Sequence, residues 1–272
     1  MGPLTLPHLF SPKTKSVTSL AYISQGEYFP PARSSSTCPK GDDFCHSASR
    51  ILVFVCIHDG EAMAFRKVTN KGFRKFIGKF ASYIHKKIIA YESRLERDFL
   101  YLVELDHMDV VEVWEQACRV HYFLDGRRRR FTIDFLIKRK RKKQMIEIKY
   151  STRAKQPKYQ AAFRAARKAA TREGYEFKVY TEETIRQQPR LDNAKLLIYY
   201  QRTPVHPHHQ ILCHEFFRNR SKASLGQLIQ FFNTKGIETG TVYALLRWGI
   251  VGFDINQPLI PEATVYLPGT EQ

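Results

Sequence analysis

Phe131-Thr132-Ile133-Asp134-Phe135-Leu136-Ile137 and Gln144-Met145-Ile146-Glu147-Ile148-Lys149-Tyr150 are two short runs rich in β-branched and aromatic residues, joined by the basic connection 138–143. Such runs predict two strands of a hairpin. In the second, residues two apart share a face, so Glu147 and Lys149 project together while Ile146 and Ile148 face the opposite side. In the first, Asp134 interrupts an apolar stretch in which an unpaired carboxylate is costly to bury, so it calls for a nearby cation.

Upstream, Leu95, Phe99, Leu102 and Val103 recur at helical spacing over 91–105, with Ser93 as a cap near the start. Leu100 and Val103 follow Glu96 by four and seven residues, which sets Glu96 beside the inward stripe, with Glu92 one turn earlier and less well placed. Residues 110–113 form a further strand. Downstream, Pro157 marks a helix start, and 159–172 is Ala-rich with Phe163 and Ala166 inward. It ends at Gly174 before the strand 177–180. Helix, three strands, helix, strand predicts an α/β fold built on a mixed sheet flanked by helices.

The remainder divides around this core. Over 1–62, prolines and Ser34-Ser35-Ser36-Thr37 carry no sustained period, which predicts poor order, and Met63 offers a second start of translation ahead of Ala64-Phe65-Arg66-Lys67. The core then occupies 63–203. Pro204-Val205-His206-Pro207-His208-His209 opens a linker over 204–220. In 221–272, two short helices at 225–232 and 242–248, a turn at Gly236 and strands at 250–255 and 263–267 predict a small winged-helix-like domain.

The 272 residues carry 44 Lys and Arg against 26 Asp and Glu, a net charge of +18 that favours a polyanionic partner, with double-stranded DNA foremost. The longest apolar run, 51–57, is too short to cross a bilayer, so no membrane partner is expected. The start lacks the order of a secretory signal, which predicts a cytoplasmic location. Cys38, Cys45, Cys56, Cys118 and Cys213 are scattered and odd in number, so reduced thiols are expected.

Carboxylates from a helix and two strands beside a lysine supply the hard oxygen donors that Mg²⁺ prefers and a group to offset developing charge, the requirements of phosphodiester hydrolysis. The bland reading of Glu147-x-Lys149 is an exposed ion pair on a strand, worth little. The combination with Glu96 and Asp134 favours a metal site. Arg127, Arg128, Arg129 and Arg130, with Lys138, Arg139, Lys140, Arg141, Lys142 and Lys143, flank the Asp134 strand as phosphate contacts, against the alternative of a solvated charged face. His206, His208, His209, Cys213 and His214 match no zinc spacing, nor do Cys38, Cys45 and His46. In the second helix of the C-terminal unit, Arg247 is the sole base available to a DNA groove, so that helix suits a protein partner at least as well.

Ser93-Arg94-Leu95-Glu96, Phe131-Thr132-Ile133-Asp134-Phe135 and Ile146-Glu147-Ile148-Lys149 together resemble the PD-(D/E)xK superfamily, and the TnsA branch of transposon-excising nucleases in particular. The likeness runs from about Met63 to the C-terminus; Ile133 stands where the superfamily has its namesake proline. The resemblance implies a restriction-endonuclease-like fold, with Glu96, Asp134 and Glu147 around Mg²⁺, for which Mn²⁺ substitutes, and Lys149 completing the catalytic set. It also implies cuts at the 5′ strands of transposon ends beside a TnsB-like transposase. The winged-helix-like domain would meet a TnsC-like AAA+ ATPase, through a segment marked by Thr241-Val242-Tyr243-Ala244-Leu245-Leu246 and Gln257-Pro258-Leu259. Fold analogy alone does not prove that role. The rival readings are a stand-alone restriction or repair nuclease and a non-catalytic DNA-binding or assembly protein.

Overall fold

Ser93 decides where the first long element begins. Its Oγ accepts the Glu96 N–H at 3.1 Å from an extended backbone, so α1 (Arg94–Leu105) starts behind a side-chain cap. The computed structural model describes residues 52–55, 57–58, 61–62 and 76–269. Ahead of α1 lie β1 (Leu52–Val55), β2 (Ile57–His58), β3 (Glu61–Ala62), β4 (Gly78–Ser82) and β5 (Lys87–Tyr91). After it come β6 (Val110–Leu124), β7 (Arg127–Arg139), β8 (Lys143–Ile148), α2 (Ser151–Ala154), α3 (Pro157–Arg172), β9 (Tyr175–Tyr180), α4 (Glu182–Ile185) and α5 (Arg190–Tyr199).

The main sheet has the order β1-β6-β7-β8-β9, antiparallel except for the parallel β8–β9 pair, so it is mixed as expected. Against one side, α1 packs Leu95, Phe99, Leu100 and Val103 on Phe135, Ile137, Ile146 and Ile148. Against the other, the alanine seam of α3 (Ala166, Ala169 and Ala170, with Phe163) meets Cys118, Val120, Ile133 and Met145. The strand expected over 110–113 runs on to Leu124, because a bulge at Gln116 and Ala117 absorbs the polar interruption that masks its period. β6 and β7 then join through Asp125 and Gly126, both at positive φ (51° and 68°), the twist a two-residue hairpin turn requires. Much of 1–62, with Cys38, Cys45 and His46, lies outside the described residues. Within that stretch, Leu52–Val55 pairs with β6, so the sheet reaches ahead of Met63.

The segment 204–220 is not a linker. Pro207 occupies the first turn of α6 (Pro207–Phe217), whose Cys213, Phe216 and Phe217 are buried with Leu225, Leu228, Phe232 and Leu245. Three histidines at its start hide that apolar face in the sequence; the His209 ring accepts the His206 N–H. Then follow β10 (Lys222–Ser224), α7 (Leu225–Thr234), α8 (Thr239–Arg247), β11 (Gly252–Phe253) and β12 (Thr264–Tyr266), with β12 central in a small antiparallel sheet. Cys118 and Cys213 are buried free thiols, each pushed up to about 12 by burial. Among the described residues no helix is long and apolar enough to cross a membrane.

Two buried polar side chains join the C-terminal unit to the core. Asn193 of α5 donates to the carbonyls of Ile255 and Gln257 at 2.8 and 2.7 Å and accepts the Leu259 N–H. Arg247, the sole base that this helix could offer a DNA groove, is 2% exposed. It donates to the Glu104 carbonyl and to the His107 Nδ1, both at 2.7 Å, and so caps the C-terminus of α1. Asn193→Ala is expected to cost about 1–3 kcal/mol in chemical denaturation, because three part-buried backbone groups lose their partner. A cost below about 0.5 kcal/mol would show that water replaces it.

Candidate active site in the fork between two strands

β7 and β8 pair from Lys138↔Lys143 to Phe135↔Ile146 and then part, while β8 continues beside β9 to Ile148↔Tyr180. β7 also changes face here, since Ile133 belongs to the α3 side of the core and Phe135 to the α1 side. At this fork the Asp134 carboxylate accepts the Ile148 N–H at 2.8 Å, taking a donor that the ladder would otherwise use. The fork opens into a cleft of about 910 Å³ whose walls include Glu96, Asp134, Glu147 and Lys149. All four residues singled out from the sequence therefore come together.

Each is held differently. Lys149 Nζ lies 2.7 Å from Glu147 Oε1 and 5.3 Å from the centre of the Tyr159 ring, so it is anchored from two sides. Glu147 is 1% exposed, and its Oε2 has no hydrogen-bond partner among the described residues. Glu96 serves the helix as well as the cleft, accepting from Ser93 Oγ at 2.9 Å and from the Glu92 N–H at 2.7 Å. This is close to a capping box, a structural role that the pattern Ser93-x-x-Glu96 also signals.

Burial dominates the electrostatics. It raises Glu96 to about 7, with the Asp134 charge adding to the effect. It also holds Asp134 well above the usual carboxylate range, with Glu147 next to it, and raises Glu147 despite Lys149. For Lys149 burial acts downward, but the Glu147 and Asp134 carboxylates outweigh it and the ammonium is favoured. Three carboxyl groups thus face one cation. The donors are all oxygens, one of them buried and unmatched, which is the chemistry that suits Mg²⁺. Among the described residues no three His, Cys, Asp or Glu side chains form a ready-made ligand group, so holding an ion requires the Glu96 and Glu147 side chains to turn from their present partners.

A raised carboxyl favours the folded state only while protonated. With divalent ions chelated, the contribution of Glu96 is present below about pH 4.5 and is lost as pH rises through about 7. The loss amounts to about 3 kcal/mol at pH 8. The melting temperature in EDTA is therefore expected to fall over that window, and Glu96→Gln to flatten the fall. An unchanged slope in the variant would remove Glu96 as its source.

The basic residues are distributed otherwise than expected. The connection 138–143 sits at the far end of the β7–β8 pair, and three of its six bases are ion-paired: Lys138 with Glu112, Arg139 with Asp106 and Asp109, and Lys142 with Glu176. Of Arg127, Arg128, Arg129 and Arg130, only Arg130 lines the cleft. Its other bases are Arg94, Arg119 and Arg153, which sequence reasoning missed. Each is an isolated arginine in a mixed run, where charge density gives no signal.

Residues 107–182 match the family model described as TnsA-like endonuclease N terminal. The match contains Asp134, Glu147 and Lys149 and begins after α1, so Glu96 joins them through the fold alone. No curated protein matches the chain.

Proposed function

We propose that this protein, whose residues 107–182 match the TnsA-like endonuclease N-terminal family, is a Mg²⁺-dependent endonuclease that cuts the 5′ strands at transposon ends, acting with a TnsB-like transposase. The observation that carries this reading is the convergence of Glu96, Asp134, Glu147 and Lys149 on one cleft in the strand fork. Glu96, Asp134 and Glu147 would hold the ion. When bound, Mg²⁺ supplies Lewis-acid polarisation of the phosphoryl oxygens and lowers the pKa of an attacking water. Lys149, kept cationic by its carboxylate neighbours, donates hydrogen bonds to the phosphoryl oxygen as negative charge develops there. Arg119, Arg130 and Arg153 on the cleft wall hold the flanking phosphates.

The C-terminal unit supports a winged-helix reading through its element order, one helix and a strand, two helices, then a strand pair, with β12 between β10 and β11. With Arg247 buried at the end of α8, a protein surface such as a TnsC-like ATPase is the partner we assign to it. The test is strand-specific cleavage of a transposon-end duplex by the full chain with its transposase and Mg²⁺, comparing wild type with Lys149→Ala. The variant is expected to lose roughly a hundredfold or more in rate while still assembling on DNA. Equal rates would remove Lys149 from the chemistry. An assembled wild-type complex that makes no 5′ cuts would leave a non-catalytic assembly role in its place.

A further inference from the structure

Beyond the fork, β6 and β7 continue as a two-stranded ribbon whose two faces differ in chemistry. The register sets Arg119 opposite Thr132, His121 opposite Arg130 and Phe123 opposite Arg128 on one face. The other face carries Val120 with Phe131, Tyr122 with Arg129 and Leu124 with Arg127. On that second face Tyr122 packs against Ala162 and Ala165, and Phe131 against Phe163, while Arg127 and Arg129 stay exposed at its outer end. The first face turns away from α3, and at its inner end Arg119, Arg130 and Thr132 already line the cleft. Farther out, Arg128 Nη2 donates to His121 Nδ1 at 3.0 Å. Burial lowers the His121 pKa, and Arg128, Arg119 and Arg130 lower it further, so three guanidinium groups surround one point of the strand. Neither Arg128 nor Arg130 forms an ion pair with a carboxylate among the described residues, and Phe123 at the outer end is 52% exposed.

From this geometry we propose that the Arg119, Arg128 and Arg130 face of the ribbon is a track for duplex DNA, carrying the substrate outward from the cut phosphate. This rests on the nuclease reading above and deepens it by assigning the side of the cut on which the protein grips. Same-face residues of a strand recur about every 6.8 Å, so Asp134 and Arg128 stand about 20 Å apart along β7. At 3.4 Å per base pair, that span covers about six base pairs. Charge complementarity selects a polyanion, and an exposed aromatic ring among the arginines suits sugar and base edges better than an acidic protein surface.

The parity of the strand supplies the test. Binding of the full chain to a labelled duplex is measured by fluorescence anisotropy in EDTA, so that no cleavage is required, for Arg128→Gln/Arg130→Gln against Arg127→Gln/Arg129→Gln. Both pairs remove the same charge from the same four-residue run. The first is expected to weaken binding roughly tenfold or more and to reduce the slope of log K against log salt by about 2, and the second to stay within about twofold of wild type. Equal losses from both pairs, or no loss from the first, would overturn the track. So would unchanged DNA binding with loss of transposase association, which would make the face a protein contact. Because the readout is independent of cleavage, an intact parity effect in a protein that makes no cuts would sink the nuclease reading and leave the track standing.

Discussion

Asp134→Asn is expected to abolish strand cleavage and at the same time to raise the thermal stability of the metal-free protein. Asp134 sits where β7 leaves β8, its carboxylate accepting the Ile148 N–H on the cleft wall beside Glu147. An asparagine keeps the shape and retains an oxygen for that N–H but removes a negative charge that burial and Glu147 both oppose. In EDTA at pH 8 the melting temperature is expected to rise by roughly 3 °C or more. On the proposed function, the variant with Mg²⁺ should lose roughly a thousandfold or more in 5′-strand cleavage, together with the rise in melting temperature that Mg²⁺ is expected to give wild type. A variant that cuts at the wild-type rate removes Asp134 from the site, whatever its stability. One that is less stable than wild type in EDTA refutes the claim that the carboxylates repel one another there.

The second large effect concerns the structure behind the site. Glu104, 1% exposed near the end of α1, accepts Ser82 Oγ at 2.6 Å and the N–H groups of Tyr83 and Ile84 at 2.8 and 3.0 Å, while its backbone carbonyl accepts Arg247. One residue thus ties the β4–β5 turn to α1, and α1 to α8. Glu104→Ala leaves three donors unmatched and the buried Arg247 without a nearby counter-charge. The expected cost is about 3–5 kcal/mol, or roughly 10 °C in melting temperature. Glu104→Gln keeps an acceptor and should cost about 1–2 kcal/mol. Equal losses in the two variants would place the effect in charge rather than in hydrogen bonding, and a loss under about 1 kcal/mol for alanine would mean that water satisfies the turn.

The four residues proposed for the chemistry were legible because each breaks a local rule. Asp134 lies in an apolar strand, Glu147 and Lys149 recur with the period of a strand, and Glu96 borders the inward stripe of a helix. The arginines of the cleft were not legible, because Arg94, Arg119 and Arg153 come from three separate elements and only folding brings them to one wall. Charge density misled in the other direction. The longest basic run, 138–143, lies at the far end of its hairpin, with three of its six bases tied to acidic residues of neighbouring elements.

By itself, then, the sequence determined the element order, the mixed sheet with its flanking helices and the four side chains that the fold gathers on one cleft. Periodicity and isolated buried charges are local properties, and a chain of this composition has few other ways to satisfy them. Tertiary structure alone decided that 207–217 within the expected linker folds as α6, that Arg247 is spent on the α1 terminus, and that Arg130 alone of 127–130 reaches the cleft wall. Each of these depends on which surface a neighbouring element covers, and burial by a distant segment leaves no trace in the residues it covers.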